Sequence, residues 1–258
     1  MKTCNSNLVD THAHLDFEHF DDDRENVIKT CKEKLKAVIN SGAGYEGNKR
    51  TLKLSKEYND FIFSCLGLHP THDQEDVNKV YKQIEDEEDK ILGVGEIGLD
   101  YYHHKEKEKR GEQEERFREM LELAERIEKP VVIHSRDAEK KALQVLSEFD
   151  PKTVVMHCFN GGLSRAKEAI ERGYFISIST QVLYSNRVKL LARQLPLKNL
   201  LLETDSPFLG KGKRNVPWRI EKSLKIISEL REEDEDELEA QFYENTLKAF
   251  PDLRGRIE

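Results

Sequence analysis

Short apolar, β-branched runs recur along the chain, separated by longer charge-rich stretches. They are Leu8 to His14, Ala37 to Ser41, Ile62 to Leu68, Ile91 to Glu96, Val131 to His134, Val154 to His157, Tyr174 to Ile178 and Leu200 to Glu203. Such near-continuous apolar character marks strands buried on both faces. Between them, segments such as Gln113 to Glu128 put Phe117, Met120, Leu121, Leu123 and Ala124 on one helical face. Strands alternating with helices predict an α/β fold, a single (β/α)8 TIM-type barrel. An open doubly wound sheet would carry a glycine-rich phosphate loop after its first strand, where this chain has His12 and His14. Trp218 to Leu230 and Leu238 to Phe250 read as two further helices, the second an extra C-terminal helix that packs over the barrel.

The polar residues that end these runs carry the chemistry. His12 and His14, spaced by two, project to one face of a strand, and Glu96, His134, His157 and Asp205 each close a run of their own. Catalytic groups of a barrel come from the C-terminal ends of its strands. Four imidazoles and two carboxylates exceed the three protein ligands of a usual catalytic zinc. Two divalent metal ions are therefore expected, with Glu96 between them, His12, His14 and Asp205 completing one site, and His134 and His157 the other. Imidazole-rich ligation suits Zn or Mn better than Mg, and the identity stays open among these and similar ions. Two such ions about 3.5–4 Å apart supply hydroxide at neutral pH and clamp a phosphoryl or carbonyl centre, so hydrolysis is the expected reaction class. Asp205 is the expected proton acceptor, its alternative role being a helix N-cap before Ser206-Pro207. Glu203 should face inward too and needs a partner, either a ligand histidine or Arg136. Cys158, next to His157, is expected to point toward the helical shell and is not counted as a ligand.

The length of 258 residues suits one barrel domain spanning residues 1–258. A formal net charge of −8 argues against nonspecific binding along duplex DNA by a basic face, but two bound ions would reverse the local field of a cleft. Part of the acidity is the run Glu232 to Glu237, read as a helix start. Cys4, Cys31, Cys65 and Cys158 are scattered and read as reduced thiols, with neither a zinc ribbon nor a disulfide framework. Met1 to Asn5 lack the apolar stretch of a signal peptide and no segment is long enough to span a bilayer, so a cytoplasmic monomer without a membrane partner is expected.

Six blocks carry a resemblance: Asp10-Thr11-His12-Ala13-His14-Leu15-Asp16, Gly67-Leu68-His69-Pro70, Gly95-Glu96-Ile97-Gly98-Leu99-Asp100-Tyr101-Tyr102, Ile133-His134-Ser135-Arg136, His157-Cys158-Phe159-Asn160-Gly161 and Glu203-Thr204-Asp205-Ser206-Pro207. In this order they resemble the TatD family of metal-dependent deoxyribonucleases, within the amidohydrolase-like barrels. The resemblance implies the same metal ligands, His12, His14, Glu96, His134, His157 and Asp205, and an exodeoxyribonuclease that shortens single strands or 3′ ends of DNA. Lys213-Arg214-Asn215-Val216-Pro217 is similar to the family's Arg-Asn-x-Pro segment, with Val216 where an acidic residue is commoner. Lys213, Arg214, Asn215 and Arg136 are thereby candidate substrate contacts, and a solvated loop is the alternative for the basic stretch. Phe159, Tyr101 and Tyr102 are candidates for stacking on bases, or else for packing under the helical shell. His69 is a candidate donor to a phosphate or an inner carboxylate. Two other readings stand beside the nuclease: a D-aminoacyl-tRNA deacylase, with charged tRNA or RNA as partner, and a binding module without catalysis, which the complete ligand set disfavours.

Overall fold

Alternation within each apolar run sorts its side chains into two separate cores. In the computed structural model, which describes residues 6–257, the strands are β1 (Val9–Ala13), β2 (Ala37–Ser41), β3 (Ile62–Leu66), β4 (Gly93–Asp100), β5 (Val131–Arg136), β6 (Val154–Met156), β7 (Phe175–Ile178) and β8 (Leu200–Leu202). They form one eight-stranded sheet in sequential order, with every neighbouring pair parallel. The barrel closes where β8 returns to β1: Ala13 bridges to Ser206, whose carbonyl accepts from the His14 N–H at 2.7 Å, and the His12 carbonyl accepts from the Asp205 N–H at 2.9 Å. Met1 to Asn5, and with them Cys4, lie outside the described residues.

A helix follows each strand in turn: α1 (Arg24–Lys34), α2 (Gly44–Glu57), α3 (Val77–Asp86), α4 (Lys107–Arg126), α5 (Glu139–Leu146), α6 (Leu163–Glu171), α7 (Asn186–Gln194) and α8 (Ile220–Arg231). The first of the two expected tail helices is thus the eighth member of the ring, and α9 (Glu235–Ala249) is the extra one. The acidic run does start it: the Asp234 side chain caps the N–H groups of Asp236 and Glu237, with Glu235, Asp236 and Glu237 in the first turn. Among the described residues, no helix is long and apolar enough to cross a membrane.

Outward residues such as Val131, Ile133, Val154 and Met156 meet Phe117, Met120, Leu121 and Leu123 of α4 and the other helices in the outer core. Inward residues, Val9, Ile39, Phe63, Val132, Val155, Phe175 and Leu201, fill the barrel. Leu247, Phe250, Leu253 and Ile257, from the end of α9 and the short α10 (Arg254–Ile257), join this inner core and close the N-terminal mouth. Each such apolar side chain gains roughly 1.5–3 kcal/mol by leaving water.

Two strands break their alternation, and both breaks place polar groups in the barrel. In β1 the register slips by one residue between Asp10 and Ala13, opposite Val38 and Asn40. Val9 then belongs to the inner core and Ala13 to the outer one, so His12 and His14 turn inward together. In β4 a similar slip lies between Val94 and Ile97, on either side of Glu96. The strand continues past Glu96 to Asp100, four residues beyond the boundary expected from the apolar run. Gly98 permits this: its φ is +136°, and a Cβ there would lie 2.1 Å from the His134 carbonyl oxygen.

Candidate metal centre

Six side chains from five strand ends converge at the C-terminal mouth. His12 follows the slip in β1 and His14 lies one residue past that strand; Glu96 and His134 sit within β4 and β5; His157 and Asp205 follow β6 and β8. The Nε2 atoms of His12 and His14 are 3.1 Å apart. Glu96 divides its carboxylate between two groups of nitrogens. Its Oε2 lies 3.4 Å from His12 Nε2 and 3.6 Å from His14 Nε2, while its Oε1 lies 2.7 Å from His134 Nδ1, 3.4 Å from His157 Nε2 and 3.5 Å from His69 Nε2. Asp205 Oδ1 is 3.5 Å from His14 Nε2 and 3.9 Å from His12 Nε2. Among the described residues, four sets could each hold a cation: His12, His14 and Glu96; His12, His157 and Asp205; His69, Glu96 and His134; and His157, Cys158 and Glu203.

The rings are oriented from behind. His14 Nδ1 donates to the Ser41 carbonyl at 2.8 Å, His12 Nδ1 pairs with Ser41 Oγ at 3.1 Å, and His157 Nδ1 donates to Glu203 Oε2 at 3.0 Å. Glu203 also accepts from the Cys158 N–H at 2.6 Å. Of the two partners expected for it, the structure gives Glu203 the histidine and not Arg136. A further buried carboxylate, Asp10, accepts from the Thr204 N–H at 2.8 Å and from its hydroxyl, tying β1 to the segment after β8. Asp100 was missed by sequence reasoning, because the apolar run was taken to end at Glu96. Its Oδ2 accepts from His134 Nε2 at 3.0 Å and from His103 Nδ1 at 2.9 Å. The signal was available, since Ile97 and Leu99 continue the alternation that puts Glu96, Gly98 and Asp100 on one face.

Burial and mutual charge pull these groups apart. Burial pushes Glu96 up, but the fields of His69 and His157 and hydrogen bonds with His12 and His134 outweigh it and hold the carboxyl well below its ordinary range. Asp205 is lowered in the same way, burial being overcome by His14 and His157. Burial opposes a charge on His14, yet Asp205 and Glu96 raise it to about 9; on His157, Glu203 and Glu96 overcome burial and raise it to about 10. For His69 burial wins and brings it down to about 4. The centre therefore holds ionised carboxylates beside cationic imidazoles.

A cavity of about 720 Å3 opens above the centre, and its walls include Glu96, His134, His157, Asp205, Tyr102 and Arg136. Arg136 is the only lysine or arginine among its described lining residues, and its guanidinium lies 3.9 Å over the Tyr102 ring. Cys158 also lines this cavity, which corrects its expected outward direction. β6 ends at Met156 and Cys158 has a φ of +44°, so strand alternation no longer governs its side chain. Its thiol donates to Ser179 Oγ at 3.7 Å, and burial keeps it neutral by pushing its pKa well up.

Four expected substrate contacts are placed elsewhere. Phe159 is 2% exposed and packs in the outer core beneath Gly161. Arg214 is held by Asp23 at 2.6 and 2.7 Å and donates to the His19 carbonyl, because the loop folds onto the segment after β1. Asn215 is buried and donates to the Thr204 carbonyl at 2.8 Å and to Thr180 Oγ1 at 2.9 Å, which makes it a brace behind Asp205. Lys213 is exposed and outside the cavity lining. Tyr101 is engaged by Glu114 and Arg110, whereas Tyr102 is half exposed on the cavity wall. His69 lines the cavity, its Nε2 3.5 Å from Glu96 Oε1.

Residues 9–251 match the family described as TatD related DNase. The chain is 35% identical to the human deoxyribonuclease TATDN3 over the whole of both sequences. It is 37% identical to an uncharacterized metal-dependent hydrolase of Methanocaldococcus jannaschii, covering 94% of this chain and 96% of that one. Among solved structures, the TatD homologue YjjV of Escherichia coli superposes with a TM-score of 0.88 at 29% identity, over 95% of this chain and 98% of the other.

Proposed function

Since the chain belongs to the TatD related DNase family, whose members are metal-dependent hydrolases, we propose that it hydrolyses phosphodiester bonds of DNA, trimming single strands from their 3′ ends with two divalent ions held on either side of Glu96. The observation that carries the reading is the divided carboxylate, with Oε2 toward His12 and His14 and Oε1 toward His134 and His157. The donor set fits such ions. Behind His12, His14 and His157 the Nδ1 atoms are taken by Ser41 and Glu203, which leaves each Nε2 facing the carboxylates. Nitrogens packed this closely in a buried site are costly unless protons or cations lie among them. Imidazoles favour zinc or manganese over magnesium.

Divalent ions held by these residues would lower the pKa of water and neutralise charge that develops on phosphoryl oxygens. The chain's own groups do the rest. Asp205, ionised and on the cavity wall, accepts a proton at its carboxylate. Glu203 fixes the His157 ring, and Arg136 beside Tyr102 offers a cation to a phosphate and an aromatic face to a base next to the scissile bond. A single-stranded oligonucleotide labelled at its 5′ end, incubated with protein and manganese, should shorten stepwise and release mononucleotides. Intact DNA together with free D-amino acid released from charged tRNA would replace this reading with the ester-cleaving alternative.

A further inference from the structure

Folding leaves few large apolar side chains in water, and most of them gather at one place. Among the described residues they are Tyr102, Tyr184, Leu190 and Phe208. Tyr102 and Phe208 line the cavity over the centre, and the Tyr184 hydroxyl donates to the Leu209 carbonyl, next to Phe208, at 3.3 Å. Tyr102 follows β4 and Phe208 follows β8; in a closed ring of eight sequential strands these two lie diametrically opposite, so the rings stand on opposite walls. Phe208 is fixed from behind. Its N–H donates to the Asp205 carbonyl at 2.8 Å, and its ring meets those of Phe17 at 5.8 Å and His19 at 5.9 Å, edge to face. Even so, 42% of Phe208 stays in water, as an apolar rim on a polar cavity. Cations accompany the other two rings: the Arg136 guanidinium lies 3.9 Å over Tyr102, and the Lys211 ammonium 5.3 Å from the centre of the Tyr184 ring.

We infer that Phe208 is a substrate-binding residue that stacks on the nucleobase on the β8 side of the scissile phosphate, with Lys211 beside Tyr184 meeting the next phosphate, so that the protein grips a single strand on both sides of the bond it cuts. The inference rests on the nuclease reading, which gives Tyr102 and Arg136 the opposite side. Aromatic faces interleaved with cations match a single strand, whose bases offer open π-faces between negative phosphates. In a duplex those faces are covered by neighbouring base pairs, so a ring fixed on the wall reaches a base only where the strand is unpaired. Phe208 thereby adds a reason for single-strand preference that does not depend on a broad basic surface, which a net charge of −8 makes unfavourable.

The test compares Phe208→Ala and Phe208→Tyr with the parent on single strands labelled at the 5′ end, in manganese. Phe208→Ala should raise KM about 5–150-fold, the range that loss of one base–ring stack gives, and Phe208→Tyr, which keeps the ring, should stay near the parent. In the parent, an abasic residue at the 3′-terminal or at the penultimate nucleotide should each weaken the substrate to a similar degree. Phe208→Ala should abolish one of these two losses and keep the other, because a ring and the base it stacks on act as one pair. Phe17, behind Phe208, also packs on the His14 ring at 4.8 Å. A role confined to propping that ring would lower kcat instead and leave both abasic losses fully additive. That pattern, or an unchanged KM, overturns the inference and leaves the nuclease reading standing. A second measurement needs no turnover: with a chelator present, adding single strand to Phe208→Trp should quench indole emission beyond any change in the parent, whose one tryptophan is Trp218. Undiminished emission overturns the inference; a parent that shortens no oligonucleotide overturns the reading beneath it as well.

Discussion

At the N-terminal mouth of the barrel, Val9, Phe63, Phe175 and Leu201 meet Phe250, Leu253 and Ile257 in an apolar plug. At the opposite mouth other strand ends of the same barrel carry Glu96, His12, His14 and His157, which are buried, and His134 and Asp205, which are half-buried. Burial acts with opposite sign at the two ends. The plug gains free energy from every side chain withdrawn from water, whereas each ionised group at the centre costs desolvation that its neighbours only offset. One end of the sheet therefore supplies stability and the other spends it on chemistry, and the two should separate under mutation.

The largest separation comes from the ions themselves. Chelation should reduce hydrolysis to background and leave the barrel folded, with activity returning on addition of manganese or zinc; full activity in an ion-free preparation refutes the proposed mechanism. Next, Asp205→Asn should lower the rate by roughly 10²–10⁴-fold without weakening the fold. Glu96→Gln should lower it comparably by a different route, losing or weakening one ion, read by elemental analysis. A Glu96→Gln variant with two tightly held ions and normal rates would remove Glu96 from its place between them.

At the other mouth, Phe250→Ala should cost about 3–5 kcal/mol in urea unfolding while the folded fraction keeps its turnover number. A changed turnover number would mean that the two ends are coupled. A smaller effect concerns protons. His14 and His157, raised to about 9 and about 10 by their carboxylate neighbours against the effect of burial, are protonated at pH 7 in the ion-free protein. Ions must displace those protons, so affinity should rise with pH from 7 toward 9, about tenfold per unit for each proton displaced. Calorimetry in buffers of different ionisation enthalpy should register their release, and a pH-independent affinity would contradict it. The smallest effect is expected at Cys158. Although its thiol lines the cavity, it is neutral, so Cys158→Ser should change the rate by no more than about twofold.

The barrel was legible because each strand is a compact apolar run, and the candidate residues were legible because each ends one. What escaped was whatever depends on breaking the period of two. The slip in β1 cannot be read from Asp10-Thr11-His12-Ala13, where strict alternation from Val9 would have turned Ala13 inward in place of the histidines. In β4 the apolar run ends at Glu96, but the strand runs on to Asp100 through Gly98, where any Cβ would collide with the His134 carbonyl of β5. Cys158 was misdirected by one left-handed residue. Arg214 and Asn215 carried the right chemistry for a phosphate, but their partners, Asp23 and Thr204, are chosen by tertiary folding and leave no local mark.

The apolar plug also sets an order of assembly. Its stopper comes from residues 247–257, whereas the surface it covers begins at Val9. On a ribosome that emits the chain from its N-terminus, all eight strands have emerged before the stopper exists, and the barrel's throat of Val9, Phe63, Phe175 and Leu201 stays uncovered meanwhile. These helical turns, made after all eight strands, thus decide when an open, adhesive ring becomes a sealed one.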